Sequence, residues 1–303
     1  MKQAFLFSGQ GAQYPGMGRD YAQSYDVSKA VFSLADHVLN RPISTLCLEG
    51  SEEELRLTHN TQPCTFTVDF AIFQAARQEG YAAEGYAGFS LGEYVALAAS
   101  GVLSFEDALR LVQFRADAMQ GAVPEGTGAM AAIKECPEEL LGEACHKAGG
   151  IVQPANYNSP RQTVLSGEAA AVARALEYLK ENHVRGVLLP VSAPFHTPLL
   201  EPARKALEEA FAKLVWHDAV MPVYLNADAK PHTDKEEIRK LVLQQTTSPV
   251  LWMQTIRAMR RDGFDAFYEM GPGHTLSGFN KTIFRDDPGV CFRTFGTVEA
   301  MRA

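Results

Sequence analysis

Five residues, Gly88-Phe89-Ser90-Leu91-Gly92, have the G-x-S-x-G spacing of a nucleophile elbow, where a serine stands on a sharp turn between a strand and a helix. The spacing has a mechanical logic. Glycines on either side let neighbouring chain approach closely, the hydroxyl is held exposed, and N–H groups at the helix start can meet an oxyanion. Taken alone, the elbow suggests the chemistry of an α/β-hydrolase, with a serine nucleophile and water as the acceptor. Residues 81–88 lead in as a strand-like stretch, and residues 93–100 lead out with good helix formers. The competing reading is a tight turn whose serine only caps a helix.

A serine hydroxyl is a weak nucleophile without a neighbouring base. Most of the eight histidines lie in helical or polar stretches and read as surface residues. Two lie at expected strand ends. His196 sits in the rigid loop Pro194-Phe-His-Thr-Pro198, where a small inserted unit rejoins the larger one, and domain junctions favour sites. His274 lies in Gly271-Pro-Gly-His-Thr and reads equally as a helix N-terminal residue. The residues alone leave open whether either is a base or a packing group.

The elements that must position these groups follow from periodicity and punctuation. Residues 4–7 form a buried-type strand ending at Ser8-Gly9-Gln10-Gly11-Ala12-Gln13. Helical patterns cover 26–39, 51–57 and, after Asn60-Thr-Gln-Pro63, 64–78. Ser104 opens a helix over 105–120 as a cap. Beyond a Gly- and Pro-punctuated stretch at 121–128, strands at 129–133, 151–157, 162–165 and 186–191 alternate with helices at 136–147 and 168–182. The order β-α-β-β-α-β is ferredoxin-like. Helices at 199–214, 236–245, 250–262 and 275–283 and strands at 223–226 and 264–269 complete the chain. The pattern predicts an α/β protein: a large α/β-hydrolase-like domain, residues 1–124 and 193–303, with a mostly parallel sheet, and a small inserted ferredoxin-like domain, residues 125–192.

In family order along nearly the whole chain run Gly9-Gln10-Gly11-Ala12-Gln13, Gly88-Phe-Ser-Leu-Gly-Glu93, Gln113-Phe-Arg115 and Asn156-Tyr-Asn-Ser-Pro-Arg-Gln162. Pro194-Phe-His196, Gln245 before Ser248-Pro249, and Glu269-Met-Gly-Pro-Gly273 follow. With these the chain resembles the malonyl-CoA:acyl-carrier-protein transacylases and the related polyketide acyltransferase domains. The resemblance implies Ser90 as nucleophile and His196 as its base, oriented by the backbone carbonyl of Gln245 in place of an acidic residue. It implies an oxyanion hole from the N–H groups of Gln10 and Leu91, and Arg115 as the anchor for the malonyl carboxylate. A guanidinium suits that role because it pairs a carboxylate through two parallel hydrogen bonds. Without the resemblance, Arg115 reads more readily as a surface charge with its stem lying on an apolar helix. Phe195 and Phe89 would flank the acyl pocket. Phe89 departs from the family, which usually carries histidine there.

Bulk composition is compatible. The chain has 303 residues, 46% hydrophobic and 21% charged, which fits an ordinary globular protein. A net charge of −8 argues against a general nucleic-acid binder. Five scattered cysteines without a C-x-x-C pair suggest neither a disulfide framework nor a zinc site, and a reducing cytoplasm fits. No signal peptide and no membrane-length apolar run are evident. The expected activity is malonyl transfer from malonyl-CoA to acyl-carrier protein for fatty acid synthesis, with no cofactor, metal, nucleic acid or membrane. A polyketide acyltransferase acting in trans and an acyl hydrolase editing carriers are the alternatives. An acidic carrier would need a local basic patch, for which Arg257, Arg260, Arg261, Lys281 and Arg285 are candidates.

Overall fold

The computed structural model describes residues 1–191 and 193–303. Its described strands, in chain order, are β1 (Lys2–Phe7), β2 (Gly85–Gly88), β3 (Gly128–Lys134), β4 (Val152–Ser159), β5 (Gln162–Glu168), β6 (Gly186–Leu188), β7 (Val223–Tyr224), β8 (Pro231–His232), β9 (Phe264–Met270) and β10 (Cys291–Thr294). They form two sheets, ordered β10-β9-β1-β2-β7-β8 and β4-β5-β3-β6. In the first sheet every pairing is parallel except that of the short β8 with β7. Its central strands carry the apolar runs Ala4–Phe7 and Tyr86–Ala87 and the apolar residues Phe264, Ala266 and Phe267, as helices covering both faces require. Phe7 sits opposite Gly88 on one side and Met270 on the other, so the chain leaves three neighbouring strands at one edge. That carboxyl edge is where open parallel sheets place their sites.

The second sheet is antiparallel throughout. Its strand order is that of the expected ferredoxin-like module. Alternation along β3 assigns its two faces. Ala131 and Ile133 pack under the helices Glu138–Ala148 and Ala169–Glu181, while Met130 and Ala132 turn to the opposite side and pack with Phe195. The expected junction at residue 192 lies outside the described residues. Backbone also ties the small sheet to the segment before the helix Trp252–Arg261: Tyr157 N–H donates to Val250 O at 2.9 Å, and Val250 N–H donates to Ala155 O at 2.8 Å.

One boundary differs instructively. The expected helix after Pro63 instead runs Thr58–Gln78, with the proline inside it. A proline there leaves the carbonyl four residues earlier without its helical donor. That carbonyl, His59 O, accepts from Arg41 Nη1 at 3.0 Å. Arg41 thus supplies what Pro63 lacks. Among the described residues no helix is long and apolar enough to cross a membrane.

Candidate active site

Ser90 stands between β2 and the helix Leu91–Ala99 with φ 53° and ψ −98°, a conformation that an L-residue adopts only under constraint. The flanking glycines explain how the turn closes. A Cβ on Gly88 would lie 1.9 Å from Gly92 C, and one on Gly92 would lie 2.3 Å from Phe7 O. On Gly9 it would lie 2.5 Å from Phe89 O, so the loop after β1 lies against the elbow. Gln10 and Leu91 both line the cavity beside Ser90. Leu91 opens its helix, where N–H groups have no intrahelical acceptor.

His196 reaches the elbow from a loop 106 positions away. Its Nε2 lies 2.8 Å from Ser90 Oγ, and its Nδ1 lies 2.9 Å from the backbone O of Gln245. A carbonyl only accepts, so Nδ1 carries the proton and Nε2 is left to accept from the serine hydroxyl. The ring is buried, and its own carbonyl accepts from Gln153 Nε2 of β4 at 3.1 Å. Burial, then the nearby positive charge of Arg115, push its pKa down to about 4, against the opposing carbonyls of Gln245 and Ser248. His274, by contrast, is an exposed N-cap residue of the helix Thr275–Ile283 and lies outside the cavity wall.

Arg115 points inward from the helix Phe105–Gly121 and is 1% exposed. Nη1 donates to Gln62 Oε1 at 2.7 Å. Nη2 donates to Ser90 Oγ at 3.0 Å and Gln245 Oε1 at 3.1 Å. The guanidinium carbon lies 5.2 Å from the centre of the Tyr94 ring, a cation–π distance. Nε has no partner among the described atoms. A buried cation whose acceptors are neutral amides and a hydroxyl is under-compensated, which is the electrostatic setting for an anionic ligand.

These groups open on one cavity of about 250 Å3 between the two sheets. Met119, Met130, Val164 and Phe195 give it an apolar wall, and Asn156, Asn158 and Gln162 add amides from the small sheet. Phe89 also lines it, with its ring 5.6 Å from Trp252 and 6.1 Å from Phe279. The suggested cationic patch lies apart. Arg257, Arg261, Lys281 and Arg285 are exposed, and Arg260 is paired with Asp287 at 2.9 Å. Gln62 and Asn226, whose side chains hydrogen-bond to Arg115 and to the elbow, and Tyr94 beneath Arg115 had no assigned role in the sequence. The only signal for Gln62 was an amide next to a proline, which read as loop.

An acyl transferase domain model matches residues 4–289. The chain belongs to the acyl transferase family. It is 41% identical over 288 residues to the malonyl CoA-acyl carrier protein transacylase of Bacillus subtilis (strain 168), covering 94% of this chain and 91% of the relative. The crystal structure of the enzyme of that name from Clostridium perfringens superimposes with TM-score 0.95 at 38% identity, over 100% of this chain and 95% of that one. A malonyl-transacylase solved in complex with a type II PKS acyl-carrier protein superimposes with TM-score 0.96 at 36% identity, over 100% and 98%.

Proposed function

We propose that this protein transfers a malonyl group from malonyl-CoA to the pantetheine thiol of an acyl-carrier protein, by way of an ester on Ser90. The observation that carries this reading is the chain Ser90–His196–Gln245 O with a buried arginine bonded to the same hydroxyl. Ser90 Oγ attacks the thioester carbonyl while His196 Nε2 takes its proton. The tetrahedral oxyanion is received by the N–H groups of Gln10 and Leu91. The C–S bond breaks, and the imidazolium returns the proton to the departing coenzyme A sulfur. The carrier thiol then reverses the sequence, and Ser90 regains its proton.

Arg115 holds the malonyl carboxylate in both halves. Its charge depresses the basicity of His196 in the free protein. A bound carboxylate offsets that charge, so the correct substrate strengthens the base that acts on it. Gln245 serves twice, through its carbonyl to the imidazole and through its side chain to Arg115. Phe195 and Phe89 bound the acyl pocket; the Phe195 ring disfavours branched acyl groups, within the roughly 1–3 kcal/mol that one methyl allows, and the apolar Phe89 ring favours less polar ones.

The reaction needs no cofactor, and the setting that fits it is cytoplasmic fatty acid synthesis. The division into a large domain and an inserted one, with the cavity between, belongs to the same reading. A polyketide carrier remains the second reading, favoured by the likeness to the carrier-bound transacylase. A hydrolase of uncharged chains gains nothing from Arg115. Incubation with malonyl-CoA and intact-mass measurement tests the reading. A malonyl adduct that Ser90→Ala abolishes, and that added carrier protein discharges, is expected. No adduct, or its loss to water without carrier, would refute it. A panel of fatty acid and polyketide carriers then separates the pathways.

A further inference from the structure

The strained serine is held from beneath by a residue outside the cavity wall. Asn226 follows β7 and is fully buried. Its Oδ1 accepts from the Ser90 N–H at 2.7 Å, and its Nδ2 donates to the Gly88 carbonyl at 2.7 Å. One carboxamide therefore spans the elbow, gripping the peptide groups on both sides of Phe89. Asn226 is fixed in turn. Its N–H donates to Glu93 Oε2 at 2.6 Å, and its carbonyl accepts from Leu251 N–H at 3.0 Å. Glu93 stands on the elbow's own helix, so helix, elbow and β7 form one closed hydrogen-bonded ring.

The geometry has a functional consequence. With φ at 53°, the Ser90 peptide is off the path that either the strand or the helix would give it. Its N–H is turned down toward Asn226, away from the cavity, and the hydroxyl is turned up toward His196 and Arg115. The clamp fixes which side of the serine faces substrate.

We propose that Asn226 is a positioning residue for acylation, whose side-chain amide holds the Ser90 backbone in the strained conformation that presents Oγ to His196. This rests on Ser90 as the acylated residue. An error of about 1 Å in a nucleophile costs on the order of a hundredfold in rate. Asn226 is not itself part of the cavity lining and makes no hydrogen bond to Arg115, so substrate binding should be spared.

The test compares Asn226→Ala, which removes both bonds, with Asn226→Asp, which keeps an acceptor for the Ser90 N–H. Single-turnover acylation by malonyl-CoA is followed by intact mass, each variant being assayed below its own melting temperature. For Asn226→Ala we expect an acylation rate constant lower by about thirty- to a hundredfold, with half-saturating malonyl-CoA within about threefold of the parent. Asn226→Asp should recover part of that loss. Rates within threefold of the parent in both variants would overturn the proposal. So would a loss that falls on saturation and not on rate, or a failure of both variants to fold, which would make Asn226 a determinant of the fold. If the parent protein itself forms no adduct, the proposed function fails, and that outcome is distinct from all of these.

Discussion

Replacing Arg115 with methionine keeps an unbranched side chain of similar length in the buried site and removes the charge. A malonyl carboxylate should gain two charge-assisted hydrogen bonds from the guanidinium, each worth about 1.5–3 kcal/mol. The gain is not free-standing, because Nη1 and Nη2 already donate to Gln62 and Gln245 amide oxygens at 2.7 and 3.1 Å. Exchanging neutral acceptors for an anionic one leaves a net of about 2–4 kcal/mol, or roughly 30- to 700-fold in relative kcat/KM. Acetyl-CoA lacks the carboxylate and gains nothing from the arginine. The ratio of kcat/KM for malonyl-CoA over acetyl-CoA, from quenched acylation time courses, should therefore fall by at least about thirtyfold. The same substitution removes one of the two causes that depress His196, so the acid limb of acetyl transfer should move upward in pH from about 4 toward the ordinary 6.5. A malonyl-to-acetyl ratio within threefold of the parent would refute the carboxylate role, whatever happened to the absolute rates.

Other outcomes follow from the same geometry. In the parent, His196 stays neutral down to about pH 4, so kcat/KM for malonyl-CoA should hold through pH 5–6 and fall only as pH drops further; a limb centred at 6.5 would contradict the depressed base. With malonyl-CoA bound, cancellation of the Arg115 charge should place the limb of kcat above that of kcat/KM, and acetyl-CoA should show a smaller separation. Burial raises the Glu93 carboxyl from 4.5 to about 8, so the folded state holds a proton there that the unfolded chain releases. Stability in urea should therefore decline as pH rises from 6.5 to 8, where the opposite contribution of His196 is spent, and Glu93→Gln should flatten that decline. Gly92→Ala should lower stability by at least about 2 kcal/mol by urea denaturation, since the new methyl meets the Phe7 and Ser8 carbonyls, which cannot swing aside.

The regular elements were legible where pattern and punctuation agreed. The helices Asp26–Leu39 and Thr275–Ile283 run between the expected residues, and Ser104 caps its helix by accepting from Asp107 N–H. Reading failed where a distant side chain settles the local structure. Pro63 reads as a helix breaker until Arg41 appears at the His59 carbonyl. The short strand β10 is only half-buried at a sheet edge, so it carries little apolar signal. The site divides in the same way. The Ser90 turn is written in adjacent glycines. The choice of His196 over His274 is not, since both follow a strand and only three-dimensional closure separates them; resemblance made that choice. Arg115 on an amphipathic helix reads from the residues alone as facing out, and only the resemblance turned it inward. Asn226, at the end of an expected strand, gave no sign that its side chain reaches back to an elbow 136 positions earlier.

The seam between the sheets bears on how this architecture could be recombined. The imidazole belongs to a crossing loop, yet its backbone is gripped by Gln153, and the neighbouring stretch of β4 is stitched to Val250 by two main-chain bonds. Val250 lies five residues beyond Gln245, whose carbonyl orients the same ring. The small sheet is thus a splint for the Ser90–His196 alignment. A chimera that imported a relative's small unit could fold in both halves and still be inert, unless residue 153 and the edge at 155–157 came with a matching Gln245–Val250 segment. Exchange between relatives would be tolerated in the outer helices of the insert and resisted along that one edge.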